Sequence, residues 1–253
     1  YAYNTGIRTS YEDSEITPAI GSVYKLSEQV SVYANYIESL VAGDSAPSTA
    51  LNVGEALSPY VSEQKEVGLK YETETFGTGL AYFTTDEPRT LTGNDNIFRE
   101  SGENEHQGIE LTLYGKATDN LKLLGGVTWL DAKQKGTGDS TTEGKRAIGV
   151  AEWMAVMGAE WDVPQIEGLA VDGQVHYVSS RYANATNTLK LDDWTTVGIG
   201  ARYLVNIGNQ DLTLRARVDN LFDRDYWSSA NDSGQITLGA PRTVSISATV
   251  DFY

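Results

Sequence analysis

Four aromatic residues are the strongest candidates for chemistry in this chain: Tyr182, Trp194, Tyr226 and Trp227. A flat π face with an O–H or N–H at its edge suits non-covalent capture of a bulky ligand rather than bond making. Strand parity points Tyr182 and Trp194 inward at the outer ends of adjacent strands, and Tyr226 and Trp227 lie in the loop before the last strand. Trp194 and Trp227 fit equally well as interfacial anchors between water and an apolar phase. Other chemistries find less support. His106 and His176 stand in separate segments, with no HExxH or Ser-His-Asp spacing around them. His176 falls beside Gln174 on a polar face, where a water-lining imidazole is the simpler reading. The stretch GTGDSTTEGK at 136–145 has the composition of a phosphate loop but lacks a buried strand before it and a helix after it. Asp192-Asp193 reads as solvated charge at a loop end, and Asp223-Arg224-Asp225 has too few oxygen ligands for calcium. With no cysteine, thiolate nucleophiles, disulfides and cysteine metal sites are excluded. The expectation is a binding protein with no catalytic residue, no metal site and no intrinsic cofactor.

The elements that must position these rings are strands with two unlike faces. Near the end of the sequence Val244, Ile246, Ala248, Val250 and Phe252 alternate with Ser245, Ser247, Thr249 and Asp251. Successive side chains of a strand point to opposite faces, so this is a strand with one apolar and one polar side. Leu212, Leu214, Ala216 and Val218 against Thr213, Arg215, Arg217 and Asp219 repeat the pattern. So do Val30, Val32, Ala34 and Tyr36, then Val67, Leu69 and Tyr71, then Ile109, Leu111 and Leu113. Leu121, Leu123, Val127 and Trp129 form a further face, as do Trp153, Ala155, Met157, Ala159 and Trp161. Leu169, Val171, Val175 and Tyr177 continue the series, followed by Val197, Ile199, Ala201, Tyr203 and Val205. With weaker strands at 17–26 and 78–86, eleven are expected.

The connections sort by length. Short turns fall at 27–29, 74–77, 118–120, 164–168 and 207–210, and long polar loops at 42–61, 87–103, 134–146, 183–191 and 222–238. Strands of about 9–11 residues with short turns on one side and long loops on the other are the outer-membrane barrel arrangement. A soluble β-sandwich has no reason to sort its loops by parity. Trp153 and Trp161 share a face eight residues apart. That is about 26 Å of strand, or roughly 20 Å of depth at a 40° tilt, which suits an apolar band about 25 Å tall. Parity then places the long loops outside and the chain end on the periplasmic side.

Composition agrees. The hydrophobic share of 40% is low for a packed core and normal for half-polar strands. The 25 glycines and 15 tyrosines suit turns and interfacial rings, and a net charge of −16 argues against a nucleic-acid partner. No window of 18 apolar residues exists for a helical span, which leaves a transmembrane barrel open. No signal peptide is present, and Tyr1 falls in mid-pattern, so residues 1–253 are expected to be part of a longer protein.

Several motifs make the resemblance specific. NLFDRDY at 220–226 and GAPRTVSI at 239–246, ending in Asp251-Phe252, are similar to the C-terminal end of the TonB-dependent receptors, in particular the ferric-siderophore branch. SEQKEVGLKYE at 62–72, GIELTLYGKATDNLKLLGGVTWLDA at 108–132, EGKRAIGV at 143–150 and VSSRYANATNTLKLDDWTTVGIGARY at 178–203 resemble that family in the same order. The resemblance covers nearly the whole chain. It implies an all-β, antiparallel transmembrane barrel of 22 strands, of which residues 1–253 are the C-terminal part, with the plug domain and the first half of the barrel absent. It also implies a bacterial outer-membrane location, a ferric siderophore as transported ligand, and a TonB-ExbB-ExbD partner acting through the plug. Tyr182, Trp194, Tyr226 and Trp227 would then face the ligand from the extracellular vestibule. The family usually ends on an aromatic residue in lipid-face register; Phe252 holds that register and Tyr253 lies one beyond it. In the motifs, Asn220 and Asp223 can cap the strand exit, Gly239 and Pro241 can shape the last strand's entry, and Arg242 can pair with Asp219 or Asp223. Two other readings remain at this point, a passive porin and a soluble β-sandwich binding module. An upstream plug sequence separates the first from a receptor, and burial of Trp153 and Trp161 within protein would favour the second.

Overall fold

A computed structural model describes residues 14–93, 95–207, 210–231 and 234–251. The Tyr1 terminus, Phe252 and Tyr253 lie outside the described residues. The strands are β1 (Ala19–Lys25), β2 (Val30–Val41), β3 (Tyr60–Glu72), β4 (Phe76–Thr92), β5 (Phe98–Thr118), β6 (Leu121–Lys135), β7 (Trp153–Asp162) and β8 (Leu169–Val178). After them come β9 (Arg181–Tyr182), β10 (Lys190–Leu191), β11 (Trp194–Ile207), β12 (Gln210–Asp219), β13 (Trp227–Ala230), β14 (Ile236–Leu238) and β15 (Thr243–Asp251). Eleven of these form one sheet in the order β1-β2-β3-β4-β5-β6-β7-β8-β11-β12-β15, while β9–β10 and β13–β14 are separate two-stranded ribbons. Neighbours in the sheet are antiparallel and follow chain order, an up-and-down meander.

Register carries the two faces unbroken across the sheet. Val67 stands opposite Ala34 and Tyr82, Tyr82 opposite Ile109, and Ile109 opposite Trp129. Further along, Ala201 faces Val171 and Ala216, and Ala216 faces Ile246. Because the side-chain period is two, a one-residue slip anywhere would turn a whole apolar row to the wrong side. The apolar face is bare. Ile246 is 82% exposed and Val244 66%, Ile199 is exposed and Val197 half-exposed. Trp153 and Trp161 stand on the same face at 46% and 43% exposure, with Trp129 directly opposite Trp153. A sandwich would bury these residues under a second sheet, and among the described residues none covers them. The polar face is less pure than alternation predicts, since Leu124, Met154 and Val156 also stand on it.

The expected loop at 87–103 needs correction. The β4–β5 hairpin zips on to Thr92 and Phe98, and only residues 93–97 form the connection. Above the apolar band both strand faces meet water, so the alternation that marks a strand fades while backbone pairing continues. Pro88, which has no N–H to donate, is tolerated at a register shift between Pro88 and Thr90. The same loss of alternation hid the β9–β10 ribbon that flanks and enters 183–191, the β13–β14 ribbon inside 222–238 and the start of β3 at Tyr60.

Candidate ligand-binding site at the outer mouth

Trp194 opens β11 opposite Val178 and shares its face with Thr196, Gly198 and Arg202, so its indole stands on the polar side. Tyr226 comes from the connection between β12 and β15 and stacks on it, with centroids 4.3 Å apart and planes 33° from parallel. Local sequence explains the approach. Asn220 ends β12 in the left-handed region at φ 48° and is 6% exposed. Its Oδ1 accepts the Arg224 N–H at 2.8 Å, and its Nδ2 donates to the Arg224 and Ala240 carbonyls at 2.9 and 3.0 Å. Asp223, also left-handed, accepts the Arg242 N–H at 2.9 Å. Of the two partners expected for Arg242, the structure selects Asp223; Asp219 pairs with Arg217 instead. Both ends of this connection are therefore pinned, and Tyr226 is delivered to a fixed place.

Beside the stacked rings lies a cavity of about 240 Å³. Asp192 and Asp193 line one wall; Arg224, Asp225, Tyr226, Trp227 and Leu238 line the other. The volume is below that of most whole-ligand pockets, so it suits one arm of a larger molecule. Three carboxylates, one guanidinium and aromatic edges can hold polar, hydrogen-bonding groups against an apolar wall. Of the four aromatics expected here, Tyr226 and Trp227 line the cavity and Trp194 stacks on Tyr226. Trp227 lies in the β13–β14 ribbon, paired with Leu238, and is not part of the eleven-stranded sheet. Tyr182 is not among the lining residues; it pairs with Lys190 in the β9–β10 ribbon, and its carbonyl accepts the Gly149 N–H at 2.8 Å. Asp192 and Asp193 were legible in the sequence only as solvated charge, and Asp225 only as part of a stretch too poor in oxygen ligands for calcium. Arg181 carried no signal beyond its place beside Tyr182.

Three outer connections are joined into one block. Gln134, 1% exposed, accepts from Arg89 Nη1 at 2.7 Å and donates to the carbonyls of Arg146 and Ala185 at 2.9 and 2.8 Å. Asn187 accepts the Arg146 N–H at 2.8 Å and returns a bond to its carbonyl at 3.0 Å. Gly149, at φ +75°, presses on the Ala230 carbonyl so closely that a Cβ there would lie 2.2 Å from the oxygen. Residues 136–145, which looked like a phosphate loop, hold a carboxylate of their own. The Thr137 N–H donates to Glu143 at 2.9 Å, and these backbone donors keep Glu143 below the usual carboxylate range. The earlier connections pack on one another, with Ala46, Ala50 and Phe98 buried together and Asn52 bonded to both the N–H and the carbonyl of Phe98, and Arg89 joins them to the block through Gln134.

Below the mouth the polar face carries an ion-pair ladder. Lys122 bonds Glu160 at 2.8 Å, and Arg202 reaches Glu160 and Asp162 at 3.3 and 3.4 Å. Arg217 bonds Asp172 at 2.5 Å and Asp219 at 2.7 Å. Such paired charges are stable on a face that meets water or polar protein and would be costly against lipid.

A bare apolar face, a charge-laddered opposite face and a built mouth at the long-loop end define a segment of an outer-membrane β-barrel receptor. Residues 1–221 match the family model described as TonB dependent receptor-like, beta-barrel. The chain belongs to this family, in the bacterial outer membrane. It is 38% identical over 250 residues to the ferrichrome receptor FcuA of Yersinia enterocolitica, covering 96% of this chain and 33% of that protein. It is 28% identical to the ferrichrome outer membrane transporter/phage receptor of Escherichia coli K12, covering 98% and 33%. The crystal structure of BauA, the ferric preacinetobactin receptor from Acinetobacter baumannii, superposes with a TM-score of 0.82 at 36% identity, covering 93% of this chain and 36% of that one. The chain thus spans about a third of the length of the relatives it matches. Its apolar face is the lipid face and its polar face the lumen.

Proposed function

We propose that this chain is the C-terminal half of the barrel of a receptor that captures a ferric siderophore outside the cell and admits it through the outer membrane. Eleven paired strands fit half of a 22-stranded barrel, whose remaining strands would pair with the free edges of β1 and β15. The capture is non-covalent: rings and polar groups at the mouth hold the ligand, and energy for passage comes from a TonB-ExbB-ExbD complex acting on a plug within the lumen. The observation that carries the reading is the Trp194–Tyr226 shelf, raised from the polar face at the long-loop end, beside a cavity lined by three carboxylates, an arginine and aromatic rings. Relatives named for ferrichrome and ferric preacinetobactin supply the ligand class.

The test is iron-dependent growth. The full-length receptor should restore growth on ferrichrome to a strain lacking its own hydroxamate receptors, and only when the energy-coupling complex is present. Trp194→Ala should weaken ferrichrome binding by about tenfold, the scale of losing one desolvated ring contact. Equal growth with and without the coupling complex would mark a passive channel and overturn the reading.

A further inference from the structure

We propose that Arg181 is a positioning residue of the mouth: its guanidinium ties together the two walls of the cavity and so holds Tyr226 against Trp194. Arg181 is 3% exposed. It stands opposite Leu191 in the β9–β10 ribbon, immediately before Asp192 and Asp193 of the first wall. Its Nη2 donates to the Trp227 carbonyl of the second wall at 2.5 Å. The Gly239 N–H donates to the preceding carbonyl, that of Tyr226, at 2.8 Å. Two consecutive carbonyls, one of them Tyr226's own, are thus held, so the backbone that leaves the Tyr226 Cα is fixed and its ring is kept on Trp194.

The energetics argue that this cation is there for geometry. No described carboxylate pairs with Arg181, and its Nε is buried without a partner. An unneutralised buried charge costs more than one hydrogen bond to a carbonyl returns, so an apolar side chain of similar volume would serve packing alone at least as well. A guanidinium stays charged and presents a planar fork, which can reach across from one ribbon and fix a carbonyl in another. At 3% exposure the group does not meet the ligand, so its influence passes through Trp227 and Tyr226.

The inference rests on the mouth being the ligand site. It is tested in the full-length receptor with ferrichrome as probe, comparing Arg181→Met, which removes the donor, with Arg181→Lys, which keeps one. Arg181→Met should raise the ferrichrome Kd about tenfold, with the number of sites and the thermal transition of the barrel unchanged, and Arg181→Lys should recover most of the loss. A ligand-free readout is acrylamide quenching of Trp194, taken as the difference between each receptor and its Trp194→Phe partner; Arg181→Met should raise it. Unchanged Kd with unchanged quenching overturns the inference, and so does loss of binding together with the thermal transition, which marks a merely structural role. Should the unaltered receptor fail to bind ferrichrome, the quenching difference still decides for or against Arg181, and only the ligand assignment falls.

Discussion

Gly239 lies directly beneath the ring of Tyr226, where a Cβ would stand 2.1 Å from the nearest ring atom. The glycine is needed for space, because nothing about its backbone is left-handed. Gly239→Ala must therefore push Tyr226 off Trp194. Ferrichrome affinity is expected to fall by about tenfold, in line with about 1–2 kcal/mol of lost stacking and positioning. Equilibrium binding to the purified full-length receptor checks this, and wild-type affinity in the variant would mean that the stack does not shape the ligand site.

Gln134 links the β6 end to two later connections. Gln134→Met keeps the volume and removes all three side-chain bonds, leaving the Arg146 and Ala185 carbonyls without this donor. A cost of about 1–3 kcal/mol is expected. It should appear as faster protease cleavage at residues 137–145 and 184–189, with the transmembrane strands unaffected. Cleavage at only one of the two segments would refute the joint.

The face assignment has its own test in two neighbours of β7. Met157 lies on the lipid side midway between Trp153 and Trp161, and Val156 lies on the lumen side. Met157→Arg should cost about 2–4 kcal/mol in refolding from urea into lipid vesicles, as expected for a cation at mid-bilayer, whereas Val156→Arg, on the water-facing side, should cost about 0.5 kcal/mol or less. A larger penalty for Val156→Arg would mean that the two faces are exchanged, and equal penalties that neither face alone meets acyl chains.

His106 gives a pH dependence. Burial pushes its imidazole below the ordinary histidine value, against the opposing pull of Glu87 and Asp86, and Nε2 has no hydrogen-bond partner. The folded state thus binds its proton less readily than the unfolded chain. The stabilisation is full above the unfolded pKa of about 6.5, declines as pH falls below it, and is lost once pH passes the lower folded value. Amide protection factors in the upper β4–β5–β6 strands, corrected for the intrinsic pH dependence of exchange, should fall as pH drops below about 6.5, and His106→Gln should flatten the profile. An unchanged profile in that variant would place the titration elsewhere.

Much of the sheet was legible because a barrel wall writes its two solvents into alternate positions. Val197 to Val205 and Thr243 to Val250 could be read residue by residue, since each side chain meets either lipid or water. The signal stopped where the difference stopped: at Glu87–Glu103 both faces are wet, and a zipped hairpin looked like a loop. The mouth was legible in part. Trp194 and Tyr226 stood out as rings at strand ends, but their contact depends on Gly239, Asn220 and Arg181, which act through backbone carbonyls and space. Such partners lie up to 46 residues apart, as with Arg181 and Trp227, and leave no periodic trace.

The shared joints among residues 134–152, 179–193 and 220–242 limit how the outer surface can be remodelled. Grafting the final connection from another receptor would bring a segment cut to fit someone else's Gly149 and Arg181, and it would sit on the wrong seats. Exchange of recognition between receptors of this build must therefore transplant the three segments as a set, and a graft of the Asn52–Phe98 unit must keep Arg89 for Gln134 to hold.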